Sequence, residues 1–272
     1  MPSNNILKQF LHKHFFGIII CVIFIIILLC FVRHNIKTIN ENFDTNNFEI
    51  VLAHYNEDIG WINKAPYNQF KVICYNKGEN KDLKIDNLKS MVYLPNTGRE
   101  SHTYLYHIIN NYDNLANVTI FLMASMSNDA YNKKQKLKLL FDNLDDDNSI
   151  FICQKYNNVK EDLYKFSIKE YTSSSETNKH LDNALDLSQI RPFGKWFEHF
   201  FKDIEIKHVS YNSIFALNKT HILQHPKEYY EKLIAQVENS SSPETGHYFE
   251  RSWEAVFYPL NNNTKFIEIK TV

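Results

Sequence analysis

"GRESHTYLYHIINNYDNLANVTIFLMA", Gly98 to Ala124, carries a helix and then a strand, and this pairing sets the fold class. Tyr104, Leu105, Ile108, Ile109 and Tyr112 recur at helical spacing and form one apolar stripe, with Glu100, His107 and Asn110 largely off it. "VTIFLMA" then supplies a short apolar run of strand length. Upstream, "FEIVLAHY" (Phe48 to Tyr55) and "FKVICY" (Phe70 to Tyr75) read as two more strands, and "NEDIGWINKAPYN" between them has room for one short helix. Downstream come a Lys-rich helix ending near Phe141 and a fourth strand, "SIFICQ" (Ser149 to Gln154). Strand and helix alternate, which predicts an α/β fold with a mostly parallel central sheet and helices on its faces. Ligands of such sheets bind beyond the carboxyl ends of the strands, which directs attention to "HYNED", "YNKG" and "SMSND".

The rest of the chain is less regular. From Lys155 to about Ser188 the composition turns polar, and the stretch reads as a long excursion over the fold, a lid in function. "HVSYNSIFALN" (His208 to Asn218) reads as a further strand, and "PKEYYEKLIAQVEN" as a helix with Pro226 in its first turn. "PETGHYFERSWEAVF" (Pro243 to Phe257) reads as one last helix.

At the other end, Phe15 to Val32 is 18 residues without a charge or a proline. That is long enough to cross most of a hydrocarbon core of about 30 Å, and its flanks lack the small residues of a cleavage site. The expected organisation is a tail (1–14), a transmembrane signal anchor in the lipid bilayer (15–32), a polar stem (33–47) and one globular domain (48–272). Basic residues are nearly balanced across the span, and the terminal amine tips the orientation towards a cytoplasmic N-terminus with a luminal or extracellular body. Four Asn-X-Ser/Thr sequons, at Asn117, Asn218, Asn239 and Asn262, are compatible with that side, and Asn239 and Asn262 are the glycosylation candidates. Net charge is −1, which provides no general attraction to nucleic acid. Cys21 and Cys30 lie in the apolar span, and Cys74 and Cys153 lie in strands, so buried free thiols are expected rather than a disulfide framework.

Arg99 poses the chemical question. A cation at a helix start opposes the helix dipole unless an anion is near. Either Glu100 answers it locally, or Asn96, Gly98 and Arg99 form a clamp for a diphosphate or carboxylate. Asn56 and Glu57, after the first strand, are placed to contact a nucleotide or to cap the next helix. In the last helix, His247, Glu250 and Glu254 fall within about 60° of arc, opposite Phe249, Trp253, Val256 and Phe257. Glu250 is thus a carboxylate on a rigid element, suited to a general base, although a solvated polar face has the same spacing. "DNLDDDNS" contains Asp145 and Asp147 in an Asp-x-Asp pattern, but it precedes a strand and reads as a solvated loop; Asp129 is better placed and lacks a partner carboxylate. Whether a divalent cation, Mn²⁺ or Mg²⁺, takes part is left open.

These motifs, taken in order, resemble one family: "VLAHYNEDIGWI", "NTGRESHTYLYHIINNYDNLANVTIFL", "FALNKTHILQHPKEYYEKL" and "GHYFERSWEAVF". The chain is similar to domain-of-unknown-function family 3431, with fungal, bacterial and large-DNA-virus members, over about residues 48 to 260. The matching positions include Asn96, Gly98, Arg99, Glu100, Tyr104, Phe121, Phe215, Pro226, Gly246, Phe249, Glu250 and Trp253; His247 is outside the shared pattern, and "SYNS" departs from it. The family's arrangement is similar to that of single-sheet nucleotide-sugar glycosyltransferases. The resemblance therefore implies a membrane-anchored, glycosyltransferase-like protein acting on a nucleotide sugar and a glycan or protein acceptor. On that reading Glu250 is the base, and Asn56, Glu57, Asn96, Arg99, Glu100 and Trp253 bind substrate. A non-catalytic binding module on the same fold is the alternative.

Overall fold

The structure is a computed structural model that describes residues 22–28, 44–127, 130–168 and 185–269. It divides into two compact units, Met1–Asp44 and Thr45–Val272. In the first, residues 22–28 are helical (α1) and exposed. Most of the expected 15–32 span lies outside the described residues, and no described helix is long and apolar enough to cross a membrane.

The body is a mixed α/β fold. Strands β1 (Phe48–His54), β2 (Lys71–Asn76), β3 (Leu88–Tyr93), β4 (Val118–Met123), β5 (Ser149–Lys155), β8 (Phe215–Asn218) and β10 (Thr264–Glu268) form one sheet in the order β10-β5-β8-β4-β1-β2-β3. β1 pairs in parallel with β2 and β4, β2 with β3, and β5 with β10, while β8 runs antiparallel between β4 and β5. The central strands are buried along nearly their whole length, as sheets covered on both faces require. Helix α2 (Arg99–Asn110) lies on one face, where Tyr104 packs on Phe121 at 5.0 Å and Phe121 on Phe215 at 5.2 Å between ring centroids. Phe215 in turn meets Trp253 at 5.1 Å, so the aromatic layer ties α2 to the C-terminal helices. Each such ring is worth roughly 1.5–3 kcal/mol of burial. Helix α3 (Lys133–Asp142) contributes Leu137 and Leu140 to the core, and Phe141 packs against Phe70 at 5.2 Å.

Several expected elements differ in detail. Between β1 and β2 the chain forms two 3₁₀ turns, Gly60–Asn63 and Tyr67–Gln69, in place of one helix. His208 to Asn218 is two strands, β7 (His208–Val209) and β8, because Asn212 (φ 70°) and Ser213 (φ 51°) adopt left-handed backbone and Ser213 N–H bonds Ser210 O at 2.8 Å. The last helix is also two, α8 (Glu244–Glu250) and α9 (Trp253–Val256). Between them Ser252 leaves helical geometry at φ −123°, and its Oγ returns to Tyr248 O at 2.8 Å. That break separates Glu254 from Glu250: Glu254 instead accepts the backbone N–H groups of Lys207 and His208. Of the excursion, residues 169–184 lie outside the described ones; its first part forms the short helix α4 (Val159–Leu163), its last part the short strand β6 (Leu185–Asp186), which pairs in parallel with β9 (Ser242–Pro243), and helix α5 (Phe193–Phe200) follows it. Of the expected helix after Pro226, α7 (Lys227–Ile234) is formed, preceded by the short α6 (Lys219–Ile222).

Candidate functional site

The carboxyl ends of β1, β2 and β4 open on one edge of the sheet, and the turn before β8 reaches the same edge because β8 runs the other way. The loops after β1 and β2 are stitched together. His54 lies 3.0 Å from Asn76 Oδ1 and 3.2 Å from the Glu57 carbonyl, and Asn76 Oδ1 also accepts Gly78 N–H at 2.8 Å. A Cβ on Gly78 would sit 1.7 Å from Tyr55 O, so only glycine lets these loops touch. Asn56 is exposed at this rim, and Glu57 turns back to accept Tyr55 N–H at 2.8 Å. Neither caps a helix. Asp58 Oδ1 instead accepts Gly60 N–H at 2.9 Å.

Helix α2 begins unusually. Gly98 (φ 60°) and Arg99 (φ 51°) are both in the left-handed region, a strain of about 1–3 kcal/mol at the non-glycine residue. Lys77, at the end of β2, holds this bend: its Nζ donates to Thr97 O at 2.5 Å and Arg99 O at 2.6 Å. The ammonium is buried, and burial lowers its pKa to about 7 although Glu100 opposes the shift.

The bend aims Arg99 across the edge. Its Nη1 lies 3.3 Å from His247 Nε2, and His247 Nδ1 lies 3.7 Å from Glu250 Oε2. The local pair with Glu100 is longer, 3.9 Å from Nε to Oε2. Arg99 thus reaches the late carboxylate through His247, a residue outside the family pattern and set aside on sequence grounds. Burial pushes the Glu250 carboxyl up, but His247 and the Arg99 and Arg251 guanidiniums outweigh it and hold the group well below the usual carboxylate range. Arg251 itself donates to His247 O at 2.7 Å and lies over the Phe166 ring at 3.6 Å.

The turn Ser210–Ser213 closes the constellation, where a continuous strand was expected. Asn212 N–H donates to Glu250 Oε1 at 3.2 Å, and Lys136 Nζ donates to Asn212 Oδ1 at 2.7 Å and Tyr211 O at 3.0 Å. Ser213 Oγ donates to Glu100 Oε1 at 3.4 Å and receives Trp253 Nε1–H at 2.9 Å, while Tyr104 OH donates to Ser213 O at 3.1 Å. Lys133, on the turn of α3 that faces this edge, donates to Ser125 Oγ at 3.1 Å just past β4.

Arg99, Glu100 and Glu250 therefore stand together. Asn56 and Glu57 are at the same sheet edge after β1, and Asn96 is half-buried in the loop before Gly98. Trp253 is fully buried in the aromatic layer and supports Ser213 from behind rather than facing solvent. Asp145 belongs to a surface loop, paired with Lys265 at 3.0 Å, and Asp129 lies outside the described residues. Among the described residues no group of three or more His, Cys, Asp or Glu side chains gathers as metal ligands would. Cys74 and Cys153 are buried free thiols, while Cys21 and Cys30 lie outside the described residues. Asn117, Asn239 and Asn262 are exposed, whereas the Asn218 amide donates to Asp146 O at 3.0 Å.

What sequence reading missed at this edge is Lys77, Lys133, Lys136, Asn212, Ser213 and the part played by His247. "YNKG" did flag the loop that carries Lys77, but nothing local marks an ammonium for burial. No curated protein and no solved structure matches the chain. A family model described as a protein of unknown function (DUF3431) matches residues 50–266, a span from β1 to β10 that takes in the whole edge just described. The chain belongs to the DUF3431 family.

Proposed function

We propose that the chain is a glycosyltransferase-like protein, anchored in a bilayer through residues 15–32, that takes a nucleotide sugar as donor and a glycan or protein as acceptor. The observation that carries the reading is the line Arg99–His247–Glu250 at the carboxyl edge of the parallel strands, where α/β sheets bind their ligands. The nucleoside lies against Asn56 and Glu57, and the Arg99 guanidinium takes an anionic group of donor or acceptor. Glu250 is charged throughout the physiological range and so is free to accept the proton of an acceptor hydroxyl. The strand order with one antiparallel member between parallel ones agrees with a single-sheet transferase, as an analogy of fold.

A second reading, a binding module without turnover, draws support from the same carboxylate. A base works best with a pKa near the operating pH, and Glu250 is held far below it with one oxygen already engaged by Asn212 N–H. The two readings separate in one set of measurements on the full-length chain in detergent. Uridine and guanosine diphosphates and their sugar conjugates, each at millimolar concentration with and without Mn²⁺, should raise the melting temperature by several degrees. If none does, the transferase reading fails. Glu250→Gln should abolish sugar transfer and leave the nucleotide-induced shift intact; unchanged transfer removes the base role, and loss of the shift reassigns Glu250 to holding Arg99 in place.

A further inference from the structure

Arg251 follows Glu250 in the chain but does not pair with it. Glu250 turns instead to Asn212 N–H at 3.2 Å and His247 Nδ1 at 3.7 Å, and among the described residues no carboxylate lies within ion-pair distance of the Arg251 guanidinium. What holds the guanidinium is neutral. Its Nη1 donates to His247 O at 2.7 Å, and Cζ lies 3.6 Å from the centroid of the Phe166 ring and 5.2 Å from that of Tyr211. Stacking of this kind fixes a cation in place and leaves its charge standing. Most of its N–H donors are unused among the described residues: Nε is buried with no acceptor, and Nη2 bonds nothing while staying open to solvent.

Tyr211 carries the cluster to the next strand end. Its hydroxyl lies 2.9 Å from that of Tyr156, the residue that follows β5. Strands β4 and β5 both run antiparallel to β8, so their carboxyl ends open on the same edge. One phenolic proton bridges the two oxygens; the other is left over, and among the described residues no acceptor takes it. Tyr156, Tyr211 and Arg251 are all half-buried, so a ligand can reach them. Asn212, the neighbour of Tyr211, is the residue whose N–H bonds Glu250, which puts the cluster next to that carboxylate. The place offers guanidinium N–H groups and a phenolic O–H, all of them donors, around a positive charge that no side-chain anion meets.

We infer that Arg251, with the Tyr156–Tyr211 hydroxyl pair, forms a carboxylate-binding subsite that holds an acidic sugar of the acceptor beside Glu250. A set of donors with no acceptor among them selects an anion. One guanidinium matches the single charge and the planar pair of oxygens of a carboxylate, whereas a phosphate dianion would keep a charge uncompensated. Glu250 repels an anionic ligand, so binding depends on the guanidinium rather than merely gaining from it. That the carboxylate is carried by a sugar rests on the transferase reading; that the subsite takes a carboxylate does not.

Methyl glucuronide and methyl glucoside differ only in a carboxylate against a hydroxymethyl group. Each is titrated against the full-length chain in detergent, with binding followed by ligand-observed NMR. Wild type should bind the glucuronide at millimolar concentration, about tenfold or more tightly than the glucoside. Arg251→Met should abolish that preference. Arg251→Lys keeps the charge and the stacking but lacks the planar fork, so it should hold the melting temperature of wild type and still lose most of the preference. Changing Tyr156 and Tyr211 together to phenylalanine should weaken glucuronide binding severalfold. Equal affinity of wild type for the two sugars, no binding of the glucuronide, or a preference that survives in both Arg251 variants would overturn the subsite. Tighter binding of glucose 6-phosphate than of the glucuronide overturns the choice of a carboxylate. N-acetylaspartate binding as well as the glucuronide, with the same loss in the Arg251 variants, supports a carboxylate subsite and removes the acidic sugar. An Arg251-dependent preference for the glucuronide in a chain that no nucleotide stabilises supports the subsite and removes the transferase reading.

Discussion

An ammonium group buried against two carbonyl oxygens is a poor arrangement for a lysine and a useful one for a bend, and Lys77 shows both sides. Its bonds to Thr97 O and Arg99 O hold a left-handed Gly98–Arg99 pair that would otherwise relax into an ordinary helix start. Because burial lowers the folded pKa from 10.5 to about 7, the unfolded chain binds the extra proton between those two values. Stability should therefore rise with pH above 7 and be level below it as far as this group is concerned, with Lys136 adding the same sign above about 8. The slope cannot exceed about 1.4 kcal/mol per pH unit for one proton. We expect the wild-type melting temperature to climb from pH 7 to pH 9 and Lys77→Met to flatten that climb, as followed by thermal unfolding across the range; parallel curves for the two proteins would show that Lys77 does not titrate as a buried group. Arg99 and Glu250 were legible in the sequence because a glycine before a cation and a carboxylate on an apolar-backed helix are local patterns. Lys77 was not, because its environment is assembled from residues 20 and more positions away.

At the scale of elements, the helix start depends on Gly98. With φ at +60°, an added Cβ would meet Val237 O at 2.3 Å and His102 Cβ at 2.5 Å, so Gly98→Ala combines a backbone penalty with a clash against a carbonyl that has little room to move. The Gly98 N–H also bonds Ser240 O at 2.7 Å, tying α2 to the loop after α7. Gly98→Ala should destabilise the body by at least about 2 kcal/mol and weaken any ligand that uses Arg99, measured by denaturant midpoint and by titration. A variant as stable as wild type would mean that the bend is not enforced. The strands β1, β2, β4 and β5 were readable because each is a continuous apolar run. The edge strands β3, "LKSMVY", and β10, "TKFIE", carry mixed residues on half-exposed surfaces and give no such run. The Ser210–Ser213 turn was hidden for a related reason: Val209, Ile214 and Phe215 on either side are all buried and read as one strand, while the left-handed residues between them are fixed by bonds to α2, α3, α8 and α9.

For the body as a whole, alternation of strand and helix was enough to give a parallel sheet, but strand order is a matter of packing and left no local trace. β8 enters antiparallel between β4 and β5 and thereby brings the Asn212–Ser213 turn to the ligand edge. The polar stretch 155–188, expected as an excursion over the fold, is joined to the body on both sides by one residue. Glu244 is completely buried; its Oε1 accepts Ile168 N–H at 2.9 Å, its Oε2 accepts Ser188 N–H at 3.0 Å, and Arg191 Nε lies 3.0 Å from Oε2. Replacing that carboxylate with an amide substitutes a donor for one acceptor and removes the charge, so at least one buried backbone N–H loses its partner. Glu244→Gln should cost about 2–4 kcal/mol and lower the melting temperature by about 5–10 °C for a body of this size. Arg191→Met should do less, because the guanidinium is partly solvated and the two backbone donors keep the carboxylate satisfied. Equal losses in the two variants, compared by calorimetry, would place the stabilisation in the ion pair; a larger loss in Glu244→Gln places it in the backbone bonds that join the two ends of the excursion to the start of α8.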